Sequence, residues 1–201
     1  MFKTHLFLGV VWILYCMLHS VLASLAVKIW FKKLMRTRIK YYRFLYTVFA
    51  LAGLIAIIIY QITIDTLQVF KPIFIIQIAG GIIGAGGLFI MAICIVKYFM
   101  QLSGVRWLTR NQSDSKLMLD TIHQRVRHPL YLGTFLFIWG LLLILPIFSL
   151  LIANVIITVY TLIGIRFEEK KLVFEFGEAY SDYRRNVPMI IPHFFSARPK
   201  S

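Results

Sequence analysis

The chain has 201 residues, of which 60% are hydrophobic and only 15% are charged. This length fits one domain, and this composition excludes an ordinary soluble protein, because soluble domains carry about 25% charged residues. The formal net charge of +14 suggests nucleic acid as a partner, but the basic residues cluster between apolar runs. That distribution is typical of membrane topology, so we expect no nucleic-acid partner.

Apolar runs long enough to cross a bilayer, which takes about 20 residues as a helix, recur along the chain. Three of them occupy 5–27, 43–64 and 72–99. The first has no small-residue cleavage motif, so we expect a retained helix rather than a signal peptide. A further run, 130–165, is too long for one span and predicts a helical hairpin that turns at Leu145 and Pro146. The sequence thus predicts an all-α polytopic membrane bundle of about five transmembrane helices.

The basic residues predict the orientation of these spans. All but Lys3 and Lys71 of the 22 lysines and arginines lie in three segments, 28–43, 97–127 and 166–201. An odd number of spans puts all three segments on one side, and basic loops are typically cytoplasmic. We therefore expect an outer N-terminus and a cytoplasmic C-terminal amphipathic helix, in a cell inner membrane or another membrane that faces the cytoplasm.

We expect one domain with four consecutive parts. They are three spans in 1–99, a cytoplasmic segment in 100–129, the hairpin in 130–165 and a cytoplasmic tail in 166–201. The glycine-rich stretch 80–87 lacks the lysine and the flanking strand of a nucleotide loop, so it predicts close helix packing through small residues. Cys16 and Cys94 lie in apolar runs without metal-ligand spacing, and we expect no metal site.

Polar residues gather just before the hairpin. Arg127 and His128 precede Pro129, which suits the first turn of a helix because proline lacks an N–H group. A helix N-terminus at this place favours an anionic group such as a cofactor carboxylate. The alternative is that Arg127 is only a cytoplasmic anchor and Tyr131 only an interfacial aromatic residue.

Paired carboxylates follow the hairpin. If the tail is one continuous helix, Glu168 and Glu169 both lie on its apolar, inward face. Carboxylates there need a cationic partner, which Arg127, Arg166 or the sulfonium of a cofactor supplies. The alternative is a structural ion pair with one of the two arginines, and Gly177 is a possible break in the helix.

Two other features of the sequence bear on function. His19 lies inside the first span, where an ionisable group is a functional candidate, although a neutral histidine bonded to a neighbouring helix is an equal alternative. On the tail, Phe176, Tyr180 and Tyr183 share one helical face, so we expect them to pack back on the membrane domain.

These residues form one ordered pattern. It comprises 127–133 (RHPLYLG), 168–172 (EEKKL), 176–180 (FGEAY), Tyr183 and 187–188 (VP). The pattern resembles the isoprenylcysteine carboxyl methyltransferase family and the wider membrane methyltransferases that include phospholipid N-methyltransferases. His19, Ser20, Lys28 and 102–106 look more like the NnrU-type and methanethiol S-methyltransferase branches.

The resemblance implies a methyltransferase that holds S-adenosylmethionine at the cytoplasmic face. The implied cofactor contacts are Arg127, His128, Pro129, Leu130, Tyr131 and Glu169, with Tyr180 and Tyr183 of the tail closing the pocket. Glu168 is the candidate to deprotonate an acceptor, and Arg166, an approximate match to the family's catalytic arginine, is the candidate to hold an anionic one.

The acceptor and the activity itself stay open in the sequence. Possible partners are a lipophilic carboxylate, a lipid amine or a small thiol, together with membrane lipid. The alternative function is a non-catalytic NnrU-like membrane scaffold. We expect paired inward carboxylates to distinguish the enzyme, because a scaffold has no need of them.

Overall fold

A computed structural model describes residues 1–24, 27, 29–31, 33, 41–102 and 122–192, without the side chains of 43 and 98–102. Within these ranges the fold is all-α, as expected, and an isolated β-bridge is its only extended pairing. The helices are α1 (Phe2–Ala23), α2 (Tyr42–Thr63), α3 (Phe74–Leu102), α4 (Pro129–Ile144), α5 (Phe148–Phe176) and α6 (Glu178–Asn186).

Among the described residues, four helices are long and apolar enough to cross a membrane. They are α1, the Phe44–Thr63 part of α2, the Phe74–Lys97 part of α3, and α5. Helix α4 is apolar but has 16 residues, about 24 Å of helix, which is shorter than a hydrocarbon core of about 30 Å. The expected bundle is therefore four long spans and a short fifth helix, while the orientation stays a prediction.

The hairpin turns where the sequence predicted. Helix α4 ends at Ile144 and α5 begins at Phe148, with Pro146 between them. The loop that follows α2 pairs with this turn, because Val69 N donates to Pro146 O at 2.7 Å. These contacts fix one end of the α4–α5 hairpin, and the candidate site lies at the other end.

Glycines bring α3 and α4 into close contact. A Cβ atom added at Gly87 would lie 2.5 Å from Phe137 N, and one added at Gly140 would lie 2.6 Å from Gly84 N. Real side chains do not fit at such distances, so the two backbones meet directly. The helix-packing interpretation of 80–87 is confirmed, and this contact holds α4, whose N-terminus belongs to the candidate site.

We expect Gly87→Ala to destabilise the fold while Gly86→Ala does not. The added methyl group at Gly87 meets backbone atoms of α4, and overpacking of this kind costs about 1–3 kcal/mol. At Gly86 nothing lies within 4 Å, so the same change only gains helix propensity. Thermal unfolding of both variants in detergent checks this, and equal melting temperatures would contradict the packing.

Helix α1 packs against α2 and α5 through a small core. Leu8 and Trp12 of α1 meet Ile57 of α2 and Ala153 of α5. About two turns beyond Trp12 along α1, the Tyr46 hydroxyl lies 3.0 Å from the His19 ring nitrogens. His19 therefore bonds a neighbouring helix, as the structural alternative expected.

The tail differs from the single continuous helix that we expected. Helix α5 runs to Phe176 and stops, because Gly177 adopts φ 58° and ψ −131°. Side-chain-bearing residues rarely adopt a positive φ of this kind, whereas glycine does so without steric cost. The chain then changes direction and α6 begins at Glu178. Helical angles carried through Gly177 to Tyr180 and Tyr183 were therefore wrong.

Candidate functional site

The candidate site begins at the first turn of α4. His128 is the N-cap residue and Pro129 the first helical residue, and the first backbone bond is Leu132 N to His128 O at 3.0 Å. No described side chain caps this end. The backbone N–H groups of Leu130 and Tyr131 are consequently left without a helical acceptor. Such groups favour an anion.

Arg127 joins three parts of the chain. Its Nε and Nη2 atoms donate to Glu169 Oε1 at 2.8 and 2.7 Å, and its Nη1 atom donates to the carbonyls of Arg184 and Val187 at 2.8 and 2.5 Å. Both side chains of the ion pair are buried, with 9% and 11% exposure. The structural ion pair weighed in the sequence is therefore present. The expected contact of Arg127 with a cofactor stays a prediction, which these four bonds disfavour.

Backbone contacts continue this attachment of the tail. Arg127 N donates to Pro188 O at 2.9 Å, and His128 N donates to Met189 O at 3.1 Å. The segment after α6 is thereby held along the residues that precede α4. The tail is thus fixed beside the first turn of α4.

His128 lies between the two glutamates. Its Nε2 atom is 3.2 Å from Glu169 Oε1, and its Nδ1 atom is 3.9 Å from Glu168 Oε2. Because a carboxylate only accepts, Nε2 carries a proton in this bond. The ring also stacks on Tyr131, with centroids 5.6 Å apart, and it is buried. His128 and Tyr131, the expected cofactor contacts, and Glu168, the expected base, therefore lie together.

Glu168 and Glu169 have different surroundings, contrary to our expectation that both face inward. The Glu169 side chain is 11% exposed and paired, whereas that of Glu168 is 46% exposed. Neighbouring helical residues point about 100° apart, so Glu169 can face Arg127 and the tail while Glu168 faces the more open side of α5. The Tyr131 hydroxyl donates to Glu168 Oε2 at 3.2 Å. Glu168 is thus an accessible carboxylate with one fixed oxygen.

Arg166 does not join this group. Residues two apart on a helix point about 200° apart, so Arg166 and Glu168 lie on opposite sides of α5. Arg166 instead lines a cavity of about 350 Å³ with Lys170 and Arg184. The catalytic role expected for Arg166 stays a prediction, and this position disfavours it.

The aromatic residues of α6 pack inward, as expected. Tyr180 is 2% exposed, and the Tyr183 hydroxyl donates to His123 O at 2.6 Å. Burial raises the pKa of each phenol to about 12, and the Glu169 carboxylate adds to the effect in both. Both therefore stay protonated at neutral pH, so the Tyr183 bond persists. Their closure of a cofactor pocket stays a prediction.

Some site features were missed in the sequence. Lys170 follows Arg166 by four residues, and that spacing alone places both on one helix face. The positions of Arg184 and of the Val187 carbonyl depend on the turn at Gly177, for which helical periodicity gives no signal.

Comparison with known proteins bears on this arrangement. A model of the phospholipid methyltransferase family matches residues 79–179, half of the chain. Methanethiol S-methyltransferase of Crocosphaera subtropica is 47% identical over 77 residues, 38% of this chain and 29% of that protein. Methanethiol S-methyltransferase 1 of Bradyrhizobium diazoefficiens is 25% identical over 188 residues, 89% and 64% of the two chains.

This chain is also similar to a eukaryotic methyltransferase. Protein-S-isoprenylcysteine O-methyltransferase of Schizosaccharomyces pombe is 35% identical over 85 residues, 42% of this chain and 36% of that protein. The chain thus spans less than two thirds of the length of each of these relatives. No solved structure matches it.

The long apolar helices define an integral membrane protein. Within that class, the chain belongs to the phospholipid methyltransferase family, whose model spans α4 and all of α5. The resemblance predicted from the sequence motifs is confirmed. The matched range contains Tyr131, His128 and both glutamates.

Proposed function

We propose that this protein transfers a methyl group from S-adenosylmethionine to a small or lipophilic thiol at the α4 N-terminus. The observation that carries the proposal is the half-exposed Glu168 carboxylate, held by Tyr131 beside an open helix end. Family membership supports methyl transfer, and several relatives named methanethiol S-methyltransferase support a thiol. We further propose that the site faces the cytoplasm.

The residues present fit the proposed donor. S-adenosylmethionine supplies an activated methyl group on a sulfonium cation and also carries an amino-acid carboxylate. The Glu168 carboxylate suits a cation, while the free N–H groups of Leu130 and Tyr131 suit a carboxylate. Tyr131 connects the two kinds of group, because its hydroxyl bonds Glu168 and its own backbone N–H is one of the free donors. The site thus offers a partner for the sulfonium cation and a partner for the carboxylate of the donor.

Within the proposed reaction, Glu168 removes the thiol proton. The acceptor sulfur then forms a bond to the methyl carbon as the donor's carbon–sulfur bond breaks, which yields a thioether and S-adenosylhomocysteine. The proton passes from Glu168 to water, since this side chain is half exposed. Tyr131 keeps the carboxylate oriented, and alignment of this kind supplies much of the catalysis in a displacement.

A methyl-transfer assay tests the proposal. The protein in lipid vesicles is given S-adenosylmethionine labelled in its methyl group, with either an alkyl thiol or an S-farnesylcysteine carboxylate as acceptor. We expect labelled thioether from the thiol. Product only from the carboxylate would overturn the thiol assignment, and no product from either would favour the scaffold alternative.

A further inference from the structure

A cationic cavity lies on the side of α5 that faces away from Glu168. It has a volume of about 350 Å³ and is lined by Ile163, Arg166, Phe167, Glu169, Lys170 and Arg184. The three basic residues are exposed. None of them forms an ion pair with a carboxylate within the described ranges.

Nearby carboxylates are already engaged. Glu169, on the cavity wall, is bound by Arg127 at 2.7 Å. On α6, Glu178 and Asp182 both pair with Arg185 instead of Arg184. The cavity therefore keeps an excess of positive charge that the described residues do not neutralise.

Below the cavity, an apolar stripe runs down the same side of α5. It consists of the exposed side chains of Val155, Val159, Leu162 and Ile163. At 100° per residue, all four lie within about 60° of Arg166 around the helix. The stripe belongs to a helix that is long and apolar enough to cross a membrane, so we expect lipid chains to contact it.

The cations lie at the end of the apolar run of α5, where we expect the lipid head groups. Arg166 is the first charged residue after the apolar run that begins at Phe148. Four residues of helix place Lys170 about 6 Å farther along the axis. The head-group layer on each side of a bilayer is also about 5–7 Å thick. The cations thus match the head group of one lipid molecule, and the apolar stripe matches its acyl chains.

We propose that this cavity binds the phosphate of an anionic phospholipid whose acyl chains lie along the α5 stripe. Charge complementarity selects an anionic lipid, and the guanidinium groups of Arg166 and Arg184 match phosphate oxygens. Because Arg184 lies on α6 and the other cations lie on α5, the lipid joins the two helices. This site is separate from the proposed methyl transfer and does not depend on it.

The test is a thermal unfolding titration of the full chain in an uncharged detergent. We expect dioctanoyl phosphatidylglycerol to raise the melting temperature saturably, and dioctanoyl phosphatidylcholine and inorganic phosphate at equal concentration to leave it unchanged. An equal shift with phosphatidylcholine would overturn the anionic requirement. An equal shift with inorganic phosphate would show a free-phosphate site and overturn the lipid assignment.

Paired variants locate the binding. We expect Arg166→Gln/Lys170→Gln to weaken the apparent affinity for phosphatidylglycerol at least tenfold. The control Lys3→Gln/Lys171→Gln removes the same charge from exposed residues outside the cavity and should respond as the wild type does. Equal affinities in both variants would place the lipid elsewhere.

A second measurement, with a different variant, tests the proposal if the double variant does not fold. In native mass spectrometry, wild-type protein should retain one phosphatidylglycerol at collision energies that remove phosphatidylcholine. Arg184→Gln, which keeps its backbone contact with Arg127, should lose that retention. Retention unaffected by this change would overturn the proposal.

Discussion

Glu168→Gln is expected to lower kcat for a thiol acceptor by about 10²–10⁴-fold, the range in which general bases contribute. Glutamine keeps the shape and still accepts the Tyr131 hydroxyl, but it does not take the thiol proton. Affinity for S-adenosylhomocysteine, which lacks the sulfonium charge, should change less than tenfold. A loss in kcat without a loss in binding identifies an interaction made in the transition state.

Glu175→Gln is the matched control for this experiment. Glu175 is an exposed glutamate two turns farther along α5, and its substitution should leave kcat unchanged. Methylation of a carboxylate acceptor, which needs no deprotonation, should also suffer less than methylation of a thiol. If Glu168→Gln kept full turnover and melted at a lower temperature, Glu168 would be structural and the proposed base would be wrong.

Arg127→Gln is expected to destabilise the protein by about 3–5 kcal/mol. The substitution leaves the Glu169 carboxylate buried without its ion-pair partner, and this is the usual cost of breaking such a pair. It also removes the donors to Arg184 O and Val187 O, so the tail should be held less firmly and be cleaved faster by protease. Thermal unfolding and limited proteolysis measure the two effects.

Two further variants separate the causes. Arg185→Gln removes an exposed arginine from α6 and should leave the melting temperature unchanged, because exposed ion pairs contribute little. Arg127→Met/Glu169→Leu removes both buried charges and should recover part of the lost stability. If Arg127→Gln instead melted like the wild type and lost only donor affinity, Arg127 would bind the donor directly.

Much of the membrane domain was predictable from the sequence, because its helices are determined by the residues of each segment and not by distant contacts. Apolar length defines the spans, and Pro146 cannot continue a helix, so the turn of the hairpin followed. Close helix packing at 80–87 was also predictable, because glycines leave room for a neighbouring backbone, but the identity of the partner helix α4 was not.

The tail was less predictable because its geometry depends on one backbone conformation. A positive φ at Gly177 turns α6 away from the α5 axis, and helical periodicity carries no information across such a turn. The carbonyl contacts of Arg127 with Arg184 and Val187 follow from that turn. The separation of Arg166 from Glu168, in contrast, was available from their spacing and was overlooked.

The most direct test of the proposed site is calorimetric titration of the purified protein with S-adenosylhomocysteine. We expect saturable binding of one molecule per chain, weakened by about 1–3 kcal/mol in His128→Ala, because the buried ring then no longer supports the glutamates. The Lys171→Gln control should bind as the wild type does. Absence of binding by folded wild-type protein would contradict a donor site at the α4 N-terminus.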